Sequence, residues 1–309
     1  MNNQPLFILA PPRSFTSVIC GMIGQHPDMF GLPEVNLFAG DDYDDLGRLY
    51  KMRPGFSHGL LRAVAELGLG GQTEENIDVA KKWLEENRKI SSGDIYKDLV
   101  DWAGNKRLVD KSPIYVYSQE TLNRMKQAFP SASYIHLMRH PRATCDSIYK
   151  LRDVVKEGLE KMQVGAVAKK LVQKRYEKMA EINDPDDLWL RPHLRIIEFL
   201  EGVDDSQHMQ INGESFMTNP DDYLLKITKW LDIRSDEEAL ADMKHPERSS
   251  FACYGPPNAK FGNDPSYLEG PELREYKSRE CKLDETSKDG VDMVFSDDIK
   301  EFATIFGYS

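Results

Sequence analysis

Four short segments of this 309-residue chain carry side chains that could do chemistry on an anion. In Pro11 to Ser17, Arg13 sits among the hydroxyls of Ser14, Thr16 and Ser17, after the apolar run Leu6 to Ala10 and before the helical pattern Val18, Ile19, Met22, Ile23. A strand, a tight basic turn and a helix start form an anion cradle. Unpaired N–H groups and the positive end of the helix dipole face the ligand there, and Arg13 adds a fixed charge. No Gly-Lys-Ser or Gly-Lys-Thr occurs, so the turn is not the loop that holds ATP and magnesium in kinases and ATPases. Arg139 closes a second run, Tyr134 to Met138. Pro141 then suits the first turn of a helix continued by Cys145, Ile148, Tyr149 and Arg152, so that Arg139 and Ser147 can converge on one oxyanion. Lys111 and Glu34 follow two further apolar runs.

The elements that must position these groups follow from the alternation of apolar runs with helical segments. Leu6 to Ala10, Met29 to Leu32, Arg107 to Asp110, Tyr134 to Met138 and Met209 to Ile211 read as a central, mostly parallel sheet of about five strands in a three-layer α/β fold. Ligands of such sheets lie outside the carboxyl ends of the strands, where the Arg13 turn, the Glu34 loop, Lys111 and Arg139 all fall. Two amphipathic helical insertions, at about 57–104 and 153–201, cover the sheet and can also cap an acceptor site. In the first, Leu60, Leu61, Val64 and Leu67 precede a break at Gly68 to Gly71, with Ile77, Ala80 and Leu84 after it. In the second, Val155, Leu159, Met162, Val167, Leu171, Val172 and Met179 precede Leu194, Ile197, Phe199 and Leu200. The acidic cluster Asp41 to Asp45 reads as a solvated loop or helix start.

Composition narrows the function. A length of 309 residues with 40% hydrophobic content suits one large domain, 1–309. A net charge of −11 argues against general nucleic-acid binding, so any anionic ligand is held locally. Cys20, Cys145, Cys253 and Cys281 form no C-x-x-C pair, which suits reduced thiols in a cytoplasmic protein. No signal-like or membrane-spanning stretch is evident.

Taken together, the cradle and the Arg139–Ser147 pair resemble the PAPS-dependent sulfotransferases, which transfer a sulfuryl group from 3′-phosphoadenosine 5′-phosphosulfate (PAPS). Pro12 to Ser17 is similar to their P-[KR]-[ST]-G-[ST]-T-like loop, and Arg139 with Ser147 to their downstream Arg followed eight residues later by Ser. The resemblance spans most of the chain and implies a P-loop-NTPase-like sulfotransferase fold. It implies that Arg13 and the backbone of Ser14, Phe15, Thr16 and Ser17 hold the 5′-phosphosulfate, while Arg139 and Ser147 hold the 3′-phosphate. Asp110 to Tyr115 resembles the D-K-[ST]-P segment of bacterial members, whose Lys approaches the transferring group. Ile211 to Pro220 resembles the strand and turn before their final sheet-packing helix. Gly255 to Asp264 is similar to their C-terminal nucleotide-covering loop, which implies Lys260 at the 3′-phosphate, Phe261 stacked on adenine, and Gly262 nearby.

Three positions depart from the pattern. Phe15 stands where the first loop usually has Gly; Gly255 to Asp264 lacks the Arg-Lys-Gly triplet; and Pro113 occupies the place of the animal and plant enzymes' catalytic His. The base must therefore come from elsewhere. Gly31 to Phe38 resembles the K-E-x-x-x-F region of glycosaminoglycan sulfotransferases, where a Glu takes the acceptor proton, and this marks Glu34. A carboxylate in a partly dry pocket can do this near neutrality; alternatively Glu34 caps a helix or orders Arg13 as an ion pair. His245, ahead of the Gly-rich loop, is a second candidate base or a turn residue.

The expected mechanism is in-line displacement without metal, with Arg13 and Lys111 countering charge on the leaving oxygen. His136 and His140 are four apart, but on a strand and without the adjacent Glu of a zinc site; Glu198, Glu201, Asp204 and Asp205 read as the polar end of a helix. The expected acceptor is a hydroxyl or amine on a small molecule such as a natural product, or on a carrier-protein-bound acyl group. Met52, Met162, Met179, Trp102 and Trp189 are available to line an apolar site. Competing functions are a nucleotide-dependent phosphotransferase and a non-catalytic nucleotide-binding module.

Overall fold

A computed structural model of the protein describes residues 4–161, 184–276, 281–283 and 293–309. Its centre is a sheet of strands β1 (Leu6–Leu9), β2 (Met29–Gly31), β3 (Arg107–Asp110), β4 (Ser133–Met138) and β5 (His208–Asn212). The strand order is β2-β3-β1-β4-β5 and every pairing is parallel. The apolar runs read from the sequence are these strands. They lack polar alternation because both faces of a parallel sheet are covered. Leu6 and Ile8 pack with Ile19, Met22, Ile135 and Leu137 on one face. Phe7 and Leu9 pack with Phe38, Tyr96 and Tyr134 on the other, as the period of two requires.

Helix α1 (Thr16–Gly24) leaves β1 directly. The acidic cluster proves to be a helix start: the Asp42 side chain accepts from Asp45 N and caps α2 (Tyr43–Met52), with Asp44 and Asp45 in its first turn. The insertion at 57–104 forms α3 (His58–Leu69), α4 (Glu74–Glu86) and α5 (Ser92–Trp102), with Gly70 in the left-handed conformation that ends α3. Trp102 packs against Trp83 within this layer, at 5.1 Å between centroids. It braces these helices.

After α6 (Gln119–Ala128) and β4 comes α7 (Pro141–Lys161). Met162, Val167, Leu171, Val172 and Met179 lie outside the described residues. The helix Arg191–Leu200 buries Pro192, His193, Ile196, Phe199 and Leu200, whereas Leu194, expected inside, is exposed. The buried face is turned toward the sheet by His193, whose Nδ1 lies 2.9 Å from Nε2 of His136 on β4. Trp189 is fully buried; its indole N–H donates to the Arg139 carbonyl at 2.8 Å, so it fixes the end of β4. No helix among the described residues is long and apolar enough to cross a membrane.

Candidate active site

The chemistry collects at the carboxyl ends of β2, β3, β1 and β4. Arg13 and Phe15 both have positive φ, 68° and 63°. Left-handed residues in a turn aim neighbouring N–H groups at one point and make an anion nest, although each non-glycine costs about 1–2 kcal/mol there. Helix α1 begins at Thr16 with no side-chain cap and no acid in its first turn, so its first N–H groups stay available. Ser14 Oγ is buried and has no hydrogen-bond partner, an orphan that a bound oxyanion would satisfy.

Phe15 is accommodated rather than merely tolerated in place of glycine. Its ring lies under the Arg139 guanidinium at 4.4 Å and edge-on to Tyr276 at 5.5 Å. It also fills space left by Gly213, where a Cβ would stand 2.8 Å from the ring. The ring thus supports Arg139 from below. Arg139 donates to the Arg13 carbonyl, and its Nε has no partner.

The β1 turn and the start of α7 touch. Arg13 Nε donates to Ser147 Oγ at 2.9 Å, and its guanidinium also meets the Asp264 carboxylate and Ser266 Oγ, the latter at 3.1 Å. Asp264 and Ser266 were not marked from the sequence; they stand at the start of a short helix, Pro265–Glu269, remote from Arg13 along the chain.

On the other side of the cradle, Lys111 is buried to 1% exposure. Its ammonium donates to Ser17 Oγ at 2.8 Å and to Glu34 Oε1 at 2.9 Å. Glu34 therefore pairs with Lys111, not with Arg13. The rest of the Asp110 to Tyr115 segment fixes this geometry. The Asp110 carboxylate accepts from Ser112 N, Ser112 Oγ and Tyr115 OH at 3.1, 2.8 and 3.0 Å. In turn Ser112 Oγ accepts from Asn36 N at 3.0 Å and Tyr115 OH from Leu37 N at 3.1 Å. The loop carrying Glu34 thus rests on a buried polar platform. Burial raises Asp110 to about 7, against the hydrogen bonds from Ser112 and Tyr115 that favour its ionised form.

The remaining marked residues are His245, Lys260, Phe261 and Gly262. His245 sits beside Pro246, which packs on Gly21 of α1. Its Nδ1 lies 2.7 Å from Glu247 Oε1, and no described contact joins it to Glu34 or Lys111. Lys260 lies over the rings of Tyr254 and Phe261 at 5.1 and 5.8 Å. Phe261 stacks on His58 with centroids 5.7 Å apart and planes at 7°. Gly262, at φ 114°, accepts from Glu34 N at 2.7 Å. This strap therefore meets the Glu34 side of the site first and reaches Arg13 only at Asp264. His136 is engaged with His193 through Nε2, and His140 Nδ1 accepts from Arg142 N at 3.2 Å. Among the described residues no group of three or more His, Cys, Asp or Glu could hold a metal ion.

Fold and site define an α/β protein with a left-handed turn and an uncapped helix start at the end of a parallel sheet. Residues 5–237 match the Sulfotransferase family, and the chain belongs to it. A stretch of 142 residues, 46% of the chain, is 28% identical to the nodulation protein NoeE of Sinorhizobium fredii and covers 30% of that protein's length. Two solved structures have the same fold. The sulfotransferase domain from the curacin biosynthetic pathway matches with a TM-score of 0.70 at 17% identity, over 99% of this chain and 98% of that one. The sulfotransferase domain from the Synechococcus olefin synthase matches with a TM-score of 0.72 at 23% identity, over 99% and 94%.

Proposed function

We propose that the protein transfers a sulfuryl group from PAPS to a hydroxyl or amine of a small or carrier-bound metabolite, in the cytoplasm. The observation that carries this reading is the junction of two anion sites, Arg13 on the β1 turn and Ser147 on α7, at 2.9 Å. Two adjacent anion sites of this kind suit a nucleotide with phosphate on both its 3′ and 5′ positions. The orphaned Ser14 hydroxyl and Arg139 Nε are donors for such groups.

The donor supplies an activated sulfuryl group; the protein supplies position and charge. Arg13, Ser14 and the N–H groups of residues 15–17 would hold the 5′ end, and Arg139, Ser147 and Ser266 the 3′-phosphate. Lys111, screened from water, keeps its ammonium beside Ser17, where it can counter charge on the leaving oxygen. Glu34 Oε1, 2.9 Å from that ammonium, is placed to take the acceptor proton. His245 is engaged with Glu247 on the flank of α1, which favours Glu34 over it in this reading. The curacin and olefin synthase neighbours are domains of biosynthetic systems by description, and an acceptor of natural-product type is in keeping with them.

The test is calorimetric titration with 3′-phosphoadenosine 5′-phosphate (PAP) against ATP with magnesium. PAP is expected to bind far more tightly. Equal binding of ATP with magnesium would falsify the assignment in favour of a phosphotransferase.

A further inference from the structure

We propose that Arg62 is the positioning residue for Glu34: it anchors the strap that holds the backbone of the Glu34 loop, and so sets where the Glu34 carboxylate stands against Lys111. This rests on the sulfotransfer reading above and adds a residue to its base side.

Helix α3 grips Glu34 on both flanks. Gly59 packs against the Glu34 carbonyl so closely that a Cβ could not fit, and the same carbonyl accepts from Asn36 Nδ2 at 3.1 Å. Arg62, one turn further along α3, acts on the other flank through the strap. Its Nη1 donates to the Phe261 carbonyl at 3.1 Å, and the next strap carbonyl, of Gly262, accepts from Glu34 N at 2.7 Å. The Glu34 side chain then reaches the Lys111 ammonium at 2.9 Å. Gly262 takes φ 114°, and a Cβ there would stand 2.7 Å from Gly59 Cα. Strap, helix and Glu34 loop therefore meet backbone to backbone.

Arg62 pins both ends of the strap's turn. Its Nη2 donates to the Cys253 carbonyl at 2.9 Å, and between the two anchored carbonyls the turn closes on itself, with Gly255 N donating to the Lys260 carbonyl at 2.9 Å. Nε donates to Gln72 Oε1 at 2.6 Å, and Gln72 Nε2 donates in turn to Glu66 Oε2 at 2.9 Å. Arg62 is 0% exposed. A guanidinium so buried must have its donors satisfied, and its planar fork matches two carbonyls at once. Lysine offers a point charge in place of that fork, and methionine keeps the stem without either bond.

The far end of the strap lies on the donor side, where the Asp264 carboxylate meets Arg13. Loosening the strap frees the Glu34 backbone and at the same time withdraws a carboxylate that competes for the cradle. A positioning role therefore lowers kcat without raising KM for PAPS, whereas general damage to the fold moves both the wrong way.

The test compares Arg62→Lys and Arg62→Met with the wild type by amide hydrogen exchange and by the rate of PAP formation from PAPS. Exchange at Glu34 N should quicken about ten- to a hundredfold in Arg62→Met, the range for a lost hydrogen bond to a charged group, and less in Arg62→Lys. The amides of Asn36 and Leu37, held by Ser112 and Tyr115, should keep wild-type exchange. In Arg62→Met kcat should fall about a hundredfold, as for a misplaced reacting group, with KM for PAPS unchanged or lower; Arg62→Lys should recover part of the rate. Unaltered exchange at Glu34 N in Arg62→Met overturns the tie. Equal quickening at Glu34, Asn36, Leu37 and the strands, or a KM that rises as kcat falls, makes Arg62 a residue of the fold alone. If neither variant folds, Gly255→Ala breaks the same anchor from the strap side, since its Cβ would stand 2.8 Å from Arg62 Nε; wild-type exchange at Glu34 N in that variant also overturns the proposal. A wild type that forms no PAP from PAPS sinks the donor reading instead, while the exchange rates still decide the tie.

Discussion

Arg13 Nε and Ser147 Oγ lie 2.9 Å apart although 134 residues separate them in the chain. The contact is made possible by parallel strands β1 and β4 ending side by side, so that the turn after one meets the first helical turns after the other. It places a guanidinium between the two sites proposed for the ends of the donor nucleotide. Arg13→Ala should therefore weaken PAP by at least about tenfold, since a hydrogen bond to a charged group contributes about 1.5–3 kcal/mol. Turnover should fall on the order of a hundredfold or more. Ser147→Ala should lose less and only in affinity. Calorimetry and initial rates separate the two, and a Ser147→Ala variant that binds PAP like the wild type removes Ser147 from the site.

Asp264 places its carboxylate on the same guanidinium. A negative side chain at a position meant for an anion competes with it, so Asp264→Asn should bind PAP a few times more tightly, with a steeper salt dependence. The contrary result, weaker binding, would show that Asp264 aims Arg13 rather than competing for it.

The strands, the cradle and the Lys111 and Glu34 positions were legible in the sequence because each depends on local pattern. An apolar run followed at once by a polar turn marks a strand end, and parallel strands put all such ends on one edge. The strap was not legible in the same way. Lys260 and Phe261 are set by Arg62, which donates to the Phe261 and Cys253 carbonyls, and by the fit of Gly59 against Glu34, contacts with no local signature. His58 likewise gives no signal in the sequence: it is an ordinary helix-start residue until Phe261 N reaches its Nδ1. The Leu194 face failed because a buried polar pair, His136 with His193, outweighs the count of leucines on a helix.

Glu34→Gln should leave PAP affinity intact and lower turnover about 10²–10⁴-fold, the usual contribution of a general base. Formation of PAP from PAPS gives the rate. Lys111→Met, which keeps the buried stem and removes the charge, should also lose about a hundredfold in turnover. If Glu34→Gln keeps its rate, another group takes the proton, and His245→Ala becomes the next variant to measure.

Asp110 gives stability a definite pH dependence. Its carboxyl is raised to about 7 in the folded protein, chiefly by burial, above the value of about 3.9 in an unfolded chain. The folded state thus holds this proton more tightly, so the contribution of Asp110 is fully present below about pH 4 and is lost as pH rises through about 7. Asp110→Asn has no proton to lose. Its melting temperature should vary less than the wild type's over that window, and an unchanged wild-type slope would assign the effect to other groups.

The His136–His193 pair contributes in the opposite direction. Burial lowers His136 to about 3, helped by His208, and carries His193 well below its usual value. Both are neutral when folded, so their contribution is present above the unfolded value of about 6.5 and is lost as pH falls below it. One ring must donate and the other accept across the 2.9 Å contact, and His193 Nε2 is buried without a partner, so a second proton has no place in the pair. Because Trp189 lies 4.8 Å from His193 and also donates to the Arg139 carbonyl, loosening the pair in acid should weaken PAP as well as the fold. The double variant His136→Leu/His193→Phe removes both titrating groups and leaves apolar side chains in a buried site. Denaturant midpoints compared at about pH 5 and about pH 7 should converge in the variant and diverge in the wild type. Equal divergence in both proteins would clear the pair and place the acid sensitivity among the carboxylates.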